Sequence, residues 1–185
     1  MDSGNLIVNG SAEAAPGSTN ASPVNTPDWT STGGASAIQY GTSGYPSATD
    51  PGPPDRGKNF FFGGADDPMG TLTQTIDVSQ YATSIDAGQV KYALSGCFGG
   101  YSSQGDNATL TVTFEGASEN ALGKGSIGAV TPAERMDETK LLERSANGPV
   151  PTGTRSVRVA LTMVRLDGTS NDGYADDLSL VFDGI

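Results

Sequence analysis

The feature that most limits what this chain can fold into is a run of nine residues, NATLTVTFE at 107–115, in which apolar and polar side chains alternate without a break. Successive side chains of an extended backbone point to opposite sides, so Ala108, Leu110, Val112 and Phe114 share one face and Thr109, Thr111 and Thr113 the other. That period of two marks a half-buried strand. It recurs at 71–78 (TLTQTIDV), at 90–98, at 155–165 with Val157, Val159, Leu161 and Met163 inward, and at the end with Leu178, Leu180 and Phe182. Shorter strands are expected at 6–8, at 37–40 and in the aromatic run Asn59-Phe60-Phe61-Phe62.

What lies between these segments is turn chemistry. The 26 glycines and 11 prolines are spread without a collagen-like period, as many short strands joined by turns require. Two early loops are long: 11–36, whose one large anchor is Trp29, and 41–57, GTSGYPSATDPGPPDRG. Loops of that length are uncommon without a purpose. One segment reads differently: Thr131-Pro132-Ala133-Glu134 has the N-cap, N1 proline and reciprocal acid of a capping box. Propensity would extend a helix to Gly148, but Met136, Leu141 and Leu142 make a poor apolar stripe because Lys140 fills the position that should continue it. The expectation is a helical turn near 132–136 followed by a strand around 139–145. Eight to ten short strands with long early and short later loops point to an all-β, two-sheet antiparallel sandwich, with residues 1–185 forming one domain.

Charge and residue types then exclude whole classes of function. A formal net charge of −11 repels phosphate backbones and anionic headgroups, so no nucleic acid and no membrane partner is expected. The chain contains no histidine, which removes the usual general base, the usual zinc ligand and the Ser-His and Cys-His nucleophile pairs. Its one cysteine, Cys97, allows no internal disulfide and sits in an apolar run that reads as core. No apolar run approaches the ~20 residues of a membrane span, and the opening MDSGNLIVNG lacks the basic and apolar regions of a signal peptide. A secreted or cell-surface protein is expected, with its targeting signal outside this sequence.

Four short motifs, in order along the chain, carry a resemblance. Asn5-Leu6-Ile7-Val8-Asn9-Gly10-Ser11-Ala12-Glu13 resembles the N-L-x-x-N-G-x-F-E opening of galactose-binding-like jelly rolls, as in carbohydrate-binding modules of families four, nine and twenty-two. Leu72-Thr73-Gln74-Thr75-Ile76-Asp77-Val78 is similar to their Q-x-I-D-V strand, and Val150-Pro151-Thr152-Gly153-Thr154-Arg155-Ser156-Val157 to their P-x-G-T-x-x-V entry. The ending Asn171-Asp172-Gly173-Tyr174-Ala175-Asp176-Asp177-Leu178-Ser179-Leu180 looks like their closing strand, D-D-V-S-L. Two departures stand out: Ala12 replaces the usual Phe, and the family's Gly-Lys-Tyr-Ser strand appears as Gly57-Lys58-Asn59-Phe60.

The resemblance implies a non-catalytic, monomeric carbohydrate-binding module appended to a larger protein, with polysaccharide or glycan as partner. It also implies a structural calcium ion, Ca2+, bound where the first loop meets the last strand. Carried over position by position, the side-chain ligands are Glu13, Asp55 and Asp176, with Ser11 and Lys58 offering main-chain oxygens and Asp177 taking over if the strand carries a bulge. Independently, simple alternation puts Asp176 in phase with Leu178, Leu180 and Phe182 on the buried side, where a carboxylate needs a cation or strong donors. The bland readings are a solvated edge strand or an ion pair with Arg56. Asp66-Asp67, Asp167 and Asp172 read as solvated turn acids.

Sugar rings stack their C–H faces on aromatic side chains and need fixed polar partners for their hydroxyls. Tyr101, in the loop GGYSSQG, and Tyr45, in SGYP, are the candidate platforms, with Gln104 and Arg165 as polar partners. Trp29 is a third platform or a core plug. A spacer or adhesion sandwich without glycan affinity is the competing class, and a hydrolase using Glu115 and Glu119 the third.

Overall fold

The computed structural model describes residues 1–185, and its elements follow the period-two segments closely. Eleven strands run β1 Asp2–Asn5, β2 Thr30–Thr32, β3 Ser36–Gln39, β4 Asn59–Phe62, β5 Met69–Asp77, β6 Lys91–Gly100, β7 Asn107–Glu115, β8 Ala121–Gly128, β9 Lys140–Pro149, β10 Ser156–Val164 and β11 Tyr174–Asp183. A single 3-10 turn at Ser79–Tyr81 leads into the short helix α1, Ala82–Asp86, between β5 and β6. No helix is long and apolar enough to cross a membrane.

The strands form two antiparallel sheets. One has the order β3-β4-β11-β6-β9, with β1 beside the C-terminal half of β11; the other has the order β2-β5-β10-β7-β8. The alternation in β7, β10 and β11 places Leu110, Val112, Phe114, Val157, Val159, Leu161, Leu180 and Phe182 in one core between the sheets, each essentially without solvent exposure. A smaller apolar cluster, Ile38, Phe60, Phe62, Leu141 and Tyr174, lies on the outer side of the first sheet. It exists because the 40–58 loop folds over that face, so that β4, NFFF, is buried on both sides.

Three local expectations need correction or completion. The first strand is 2–5 rather than 6–8, because the Asn5 side chain caps the edge: its Oδ1 accepts the main-chain N–H groups of Ile7 and Leu180, both at 3.0 Å. Strand β8 was not legible in ALGKGSIG, where glycine replaces alternation. Gly125 is required there, since a Cβ would stand 2.6 Å from the Tyr92 hydroxyl. The capping box forms, with the Thr131 N–H donating to Glu134 Oε2 at 2.8 Å and the Glu134 N–H to Thr131 Oγ1 at 3.3 Å. It ends after one turn because Met136 and Asp137 are left-handed, at φ 56° and 57°, and β9 begins at Lys140.

Candidate functional site

The two ends of the chain meet, as the resemblance implies. The Leu178 N–H donates to the Gly10 carbonyl at 2.9 Å, and the Asn5 amide donates to the Leu178 carbonyl at 3.0 Å. Just before this junction β11 slips by one residue: Asp176 lies opposite Cys97 and Ser179 opposite Ser95, with Asp177 the extra residue at φ 51°. The bulge overturns the simple alternation. Asp176 is fully buried, but it shares the outer face with Tyr174 instead of the inner face with Leu178.

Its carboxylate accepts the Tyr40 hydroxyl at 2.7 Å and the Asp177 N–H at 2.8 Å. The expected alternative, a pair with Arg56, does not form. That guanidinium lies over the Tyr40 ring at 5.2 Å and donates to the carbonyls of Ser47, Asp50 and Pro53. Desolvation, reinforced by the neighbouring charges of Asp177 and Glu13 against the two hydrogen bonds, pushes the Asp176 carboxyl up to about 7. Desolvation and the adjacent Asp55 carboxylate, with Glu13 behind it, push Asp177 up to about 6. The Tyr40 hydroxyl rises well above the ordinary phenol range through burial and the Asp176 charge.

Asp55 and Asp177 open into a groove of about 570 Å3, also lined by Ser11, Ser95, Cys97 and Glu143. Cys97 is half-buried and not deep in the core; burial and the surrounding carboxylates push its thiol up to about 12, so it stays protonated at neutral pH. Glu13 stands to one side, its Oε1 accepting the N–H groups of Lys58 and Asn59 at 2.7 Å each. That clamp requires Gly57, where a Cβ would meet the Glu13 carboxylate at 2.4 Å. The Lys58 carbonyl accepts the Tyr40 N–H.

The donor chemistry around the groove suits a hard divalent cation: carboxylates, hydroxyls and carbonyls, with no basic side chain between them. The geometry redistributes the roles. No group of three or more acidic or thiol side chains is arranged to hold a metal ion together. Asp55 and Asp177 converge, Ser11 and Glu143 border the same groove, and Glu13 and Asp176 are engaged with main-chain and phenolic donors.

Four of the five predicted glycan residues, all but Trp29, gather at the end of the sandwich formed by the loops 63–68, 101–106, 131–139 and 165–173. Tyr101 stands 38% exposed on the β6–β7 loop. Gln104 follows it, its side-chain oxygen buried without a partner. Arg165 donates to the carbonyls of Asp66 at 2.6 Å and Thr169 at 2.5 Å, tying two loops together. Tyr45 reaches this end from the covering loop, packed on Phe62 and Tyr174 with its hydroxyl 3.4 Å from Ser170. Trp29 takes the core reading: it is 8% exposed, edge-on to Phe61, and its indole N–H donates to the Asn9 carbonyl at 3.1 Å.

Two buried charges that sequence reasoning missed hold this end in shape. Asp106 is fully buried and accepts three main-chain N–H groups from one loop, Leu166 at 2.6 Å, Asp167 at 2.8 Å and Asp172 at 2.9 Å. Arg135, also fully buried, donates to the carbonyls of Ser102, Glu138 and Gln104 at 2.5, 2.6 and 2.8 Å. Asp172, expected to be solvated, is only 6% exposed and accepts the Tyr174 hydroxyl at 2.8 Å, with burial raising its carboxyl. Glu115 and Glu119 do not line the groove; Glu115 faces Arg158 at 3.6 Å and Glu119 is exposed in the β7–β8 turn.

No family model matches the chain, and no curated protein matches it by sequence. Solved structures do. An apo form cyclase from Fischerella sp. aligns over 99% of this chain and 97% of its own at 14% identity, with a TM-score of 0.64. A family 16 carbohydrate-binding module aligns over 95% and 99% at 18% identity, TM-score 0.55. The enzymatically active domain of tailspike protein 4 from bacteriophage CBA120 aligns over 98% of this chain at 15% identity, TM-score 0.55, and the chain spans 21% of that structure. Likenesses at these identities establish the fold: a jelly-roll β-sandwich shared with at least one carbohydrate-binding module and with domains of enzymes.

Proposed function

We propose that this protein is a non-catalytic carbohydrate-binding module, one part of a larger secreted or cell-surface protein, that takes glycan at the loop end. The observation that carries the reading is Tyr101: an aromatic ring left accessible on a loop whose carbonyls, at Ser102 and Gln104, are pinned from beneath by the buried Arg135. A platform held in advance loses little conformational entropy when a sugar stacks on it. The jelly-roll fold shared with a family 16 carbohydrate-binding module supports the same class. A structural calcium ion belongs to the proposal, held between Asp55 and Asp177 with main-chain and hydroxyl oxygens near Ser11. Its support is the pair of converging carboxylates, whose repulsion a cation would relieve.

Affinity electrophoresis against a panel of soluble polysaccharides is the test. At least one glycan should retard the protein, and Tyr101→Ala should abolish the retardation while the unfolding midpoint stays where it was. Silence across neutral, acidic and amine-bearing glycans would instead assign the domain to the spacer class.

A further inference from the structure

Resting on the glycan reading, the charge and contour of the loop end narrow the ligand further. Tyr101 is not alone there. Leu166, 65% exposed, and Met136, 70% exposed, stand on two other loops of the same end. The loops are tied together: Arg135, next to Met136, donates to the Ser102 and Gln104 carbonyls, and the Leu166 N–H donates to Asp106. A left-handed backbone at Ser102 and Met136, φ 46° and 56°, fixes how two of the three loops project. The apolar centre is thus preformed. Three side chains are too few for a protein interface, which takes roughly 800 Å2 from each partner, but they match the C–H faces of a few sugar rings.

The exposed charges of the rim are predominantly acidic. Asp66, Asp137 and Asp167 present exposed carboxylates on three of these loops. Every basic group at this end is already engaged. Arg135 is buried on carbonyls, Arg165 is half-buried and donates to the main-chain carbonyls of Asp66 and Thr169, and Lys140 is buried against Glu138 at 3.1 Å. A uronate or sulfated chain would bring anions to anions, whereas an ammonium group on the sugar would meet a carboxylate and an aromatic face.

We infer that the loop end selects glycans bearing free amines, oligomers of deacetylated amino sugars, over their N-acetylated and anionic counterparts. The test is calorimetric titration, at about pH 6, with three β-1,4-linked oligomers of equal length: glucosamine, N-acetylglucosamine and a uronate. The glucosamine oligomer should bind at least about tenfold more tightly than the N-acetylated one, and this preference should fade by about 0.5 M salt, where the screening length is only a few ångströms. Combining Asp137→Asn with Asp167→Asn should bring the two affinities within about twofold of each other. Asparagine tolerates the left-handed backbone of Asp137 and keeps an acceptor for the Gly105 N–H that Asp167 receives at 2.6 Å.

Glu119→Gln, in the turn at the opposite end, controls for a polycation drawn to any acidic protein and should leave the preference intact. Equal binding of the neutral and amine-bearing oligomers, tighter binding of the uronate, or a preference that survives the double substitution would each overturn the inference while leaving the glycan reading in place. Failure of all three oligomers together with the wider panel would remove the glycan reading itself. Dimerisation at assay concentration that is lost in Leu166→Ser would assign the patch to a second copy of the chain and overturn the inference as well.

Discussion

The loop end and the acidic groove bury charge in opposite ways. At the loop end the two fully buried charges are answered by main-chain dipoles: three N–H groups converge on Asp106 and three carbonyls receive the Arg135 guanidinium. Beside the groove the buried Asp176 has two hydrogen bonds and a set of like charges around it, and no basic side chain pairs with it. The first arrangement is answered within the chain, save for the Arg135 Nε and the Gln104 side-chain oxygen, and it rigidifies the loops it touches. The second is incomplete electrostatically and leaves room for something from solution. A region that carries its own counter-charges is suited to hold a platform still; one that lacks them is suited to receive an ion.

That contrast can be broken most directly by removing Arg135. Arg135→Met would leave three carbonyls with one donor fewer each in a buried setting, and a loss of about 4 kcal/mol in urea unfolding is expected. A loss below about 1 kcal/mol would show that water replaces the guanidinium and that the loop end is not self-sufficient. Asp106→Ala should follow at about 3 kcal/mol, since it orphans the N–H groups of Leu166, Asp167 and Asp172.

The groove sharpens the comparison from the other side. Calcium at about a hundred times its Kd should stabilise the protein by roughly 2.7 kcal/mol, because it binds the folded state and not the unfolded one. Chelation should reverse this in a thermal melt, and Asp177→Asn should remove the response. An identical midpoint for metal-free and calcium-loaded protein would retire the ion.

Without calcium, pH should act on the groove with a definite sign. Asp176 and Asp177 are raised to about 7 and about 6 in the folded protein, above the ~3.9 of an unfolded aspartate, so the folded state binds more protons between those values. Stability should therefore fall as pH rises from about 4 to 7 and return on acidification, by an amount on the order of 2 kcal/mol. Asp176→Asn should flatten this slope and calcium should suppress it. A metal-free protein that instead gains stability through that window would refute the electrostatic picture of the groove.

Much of the framework is legible without the fold. Uninterrupted alternation in β7, β5 and β10 states both the element and its buried face, and the capping box at Thr131 announces its single turn. The candidate platform Tyr101 is legible too, as an aromatic in a glycine-flanked loop. Trp29 was not resolved by sequence, because a lone Trp after a turn serves equally well as platform or plug until its neighbours, Phe61 and the Asn9 carbonyl, are known. Strand β8 was hidden because its Gly125 answers to Tyr92, a residue on the other sheet.

By itself, then, the sequence determined a two-sheet β-sandwich and the inner face of its long alternating strands, written in local periodicity, while the meeting of the two chain ends came from the resemblance that its short motifs carry. Tertiary structure alone decided the rest. The one-residue slip in β11 moved Asp176 to the other face of its sheet, and the charges of Asp106 and Arg135 were taken into the interior. The physical reason is that a period of two records which way a side chain points, whereas burying a charge depends on dipoles brought from distant parts of the chain. For Asp106 those donors lie 60 to 66 residues away.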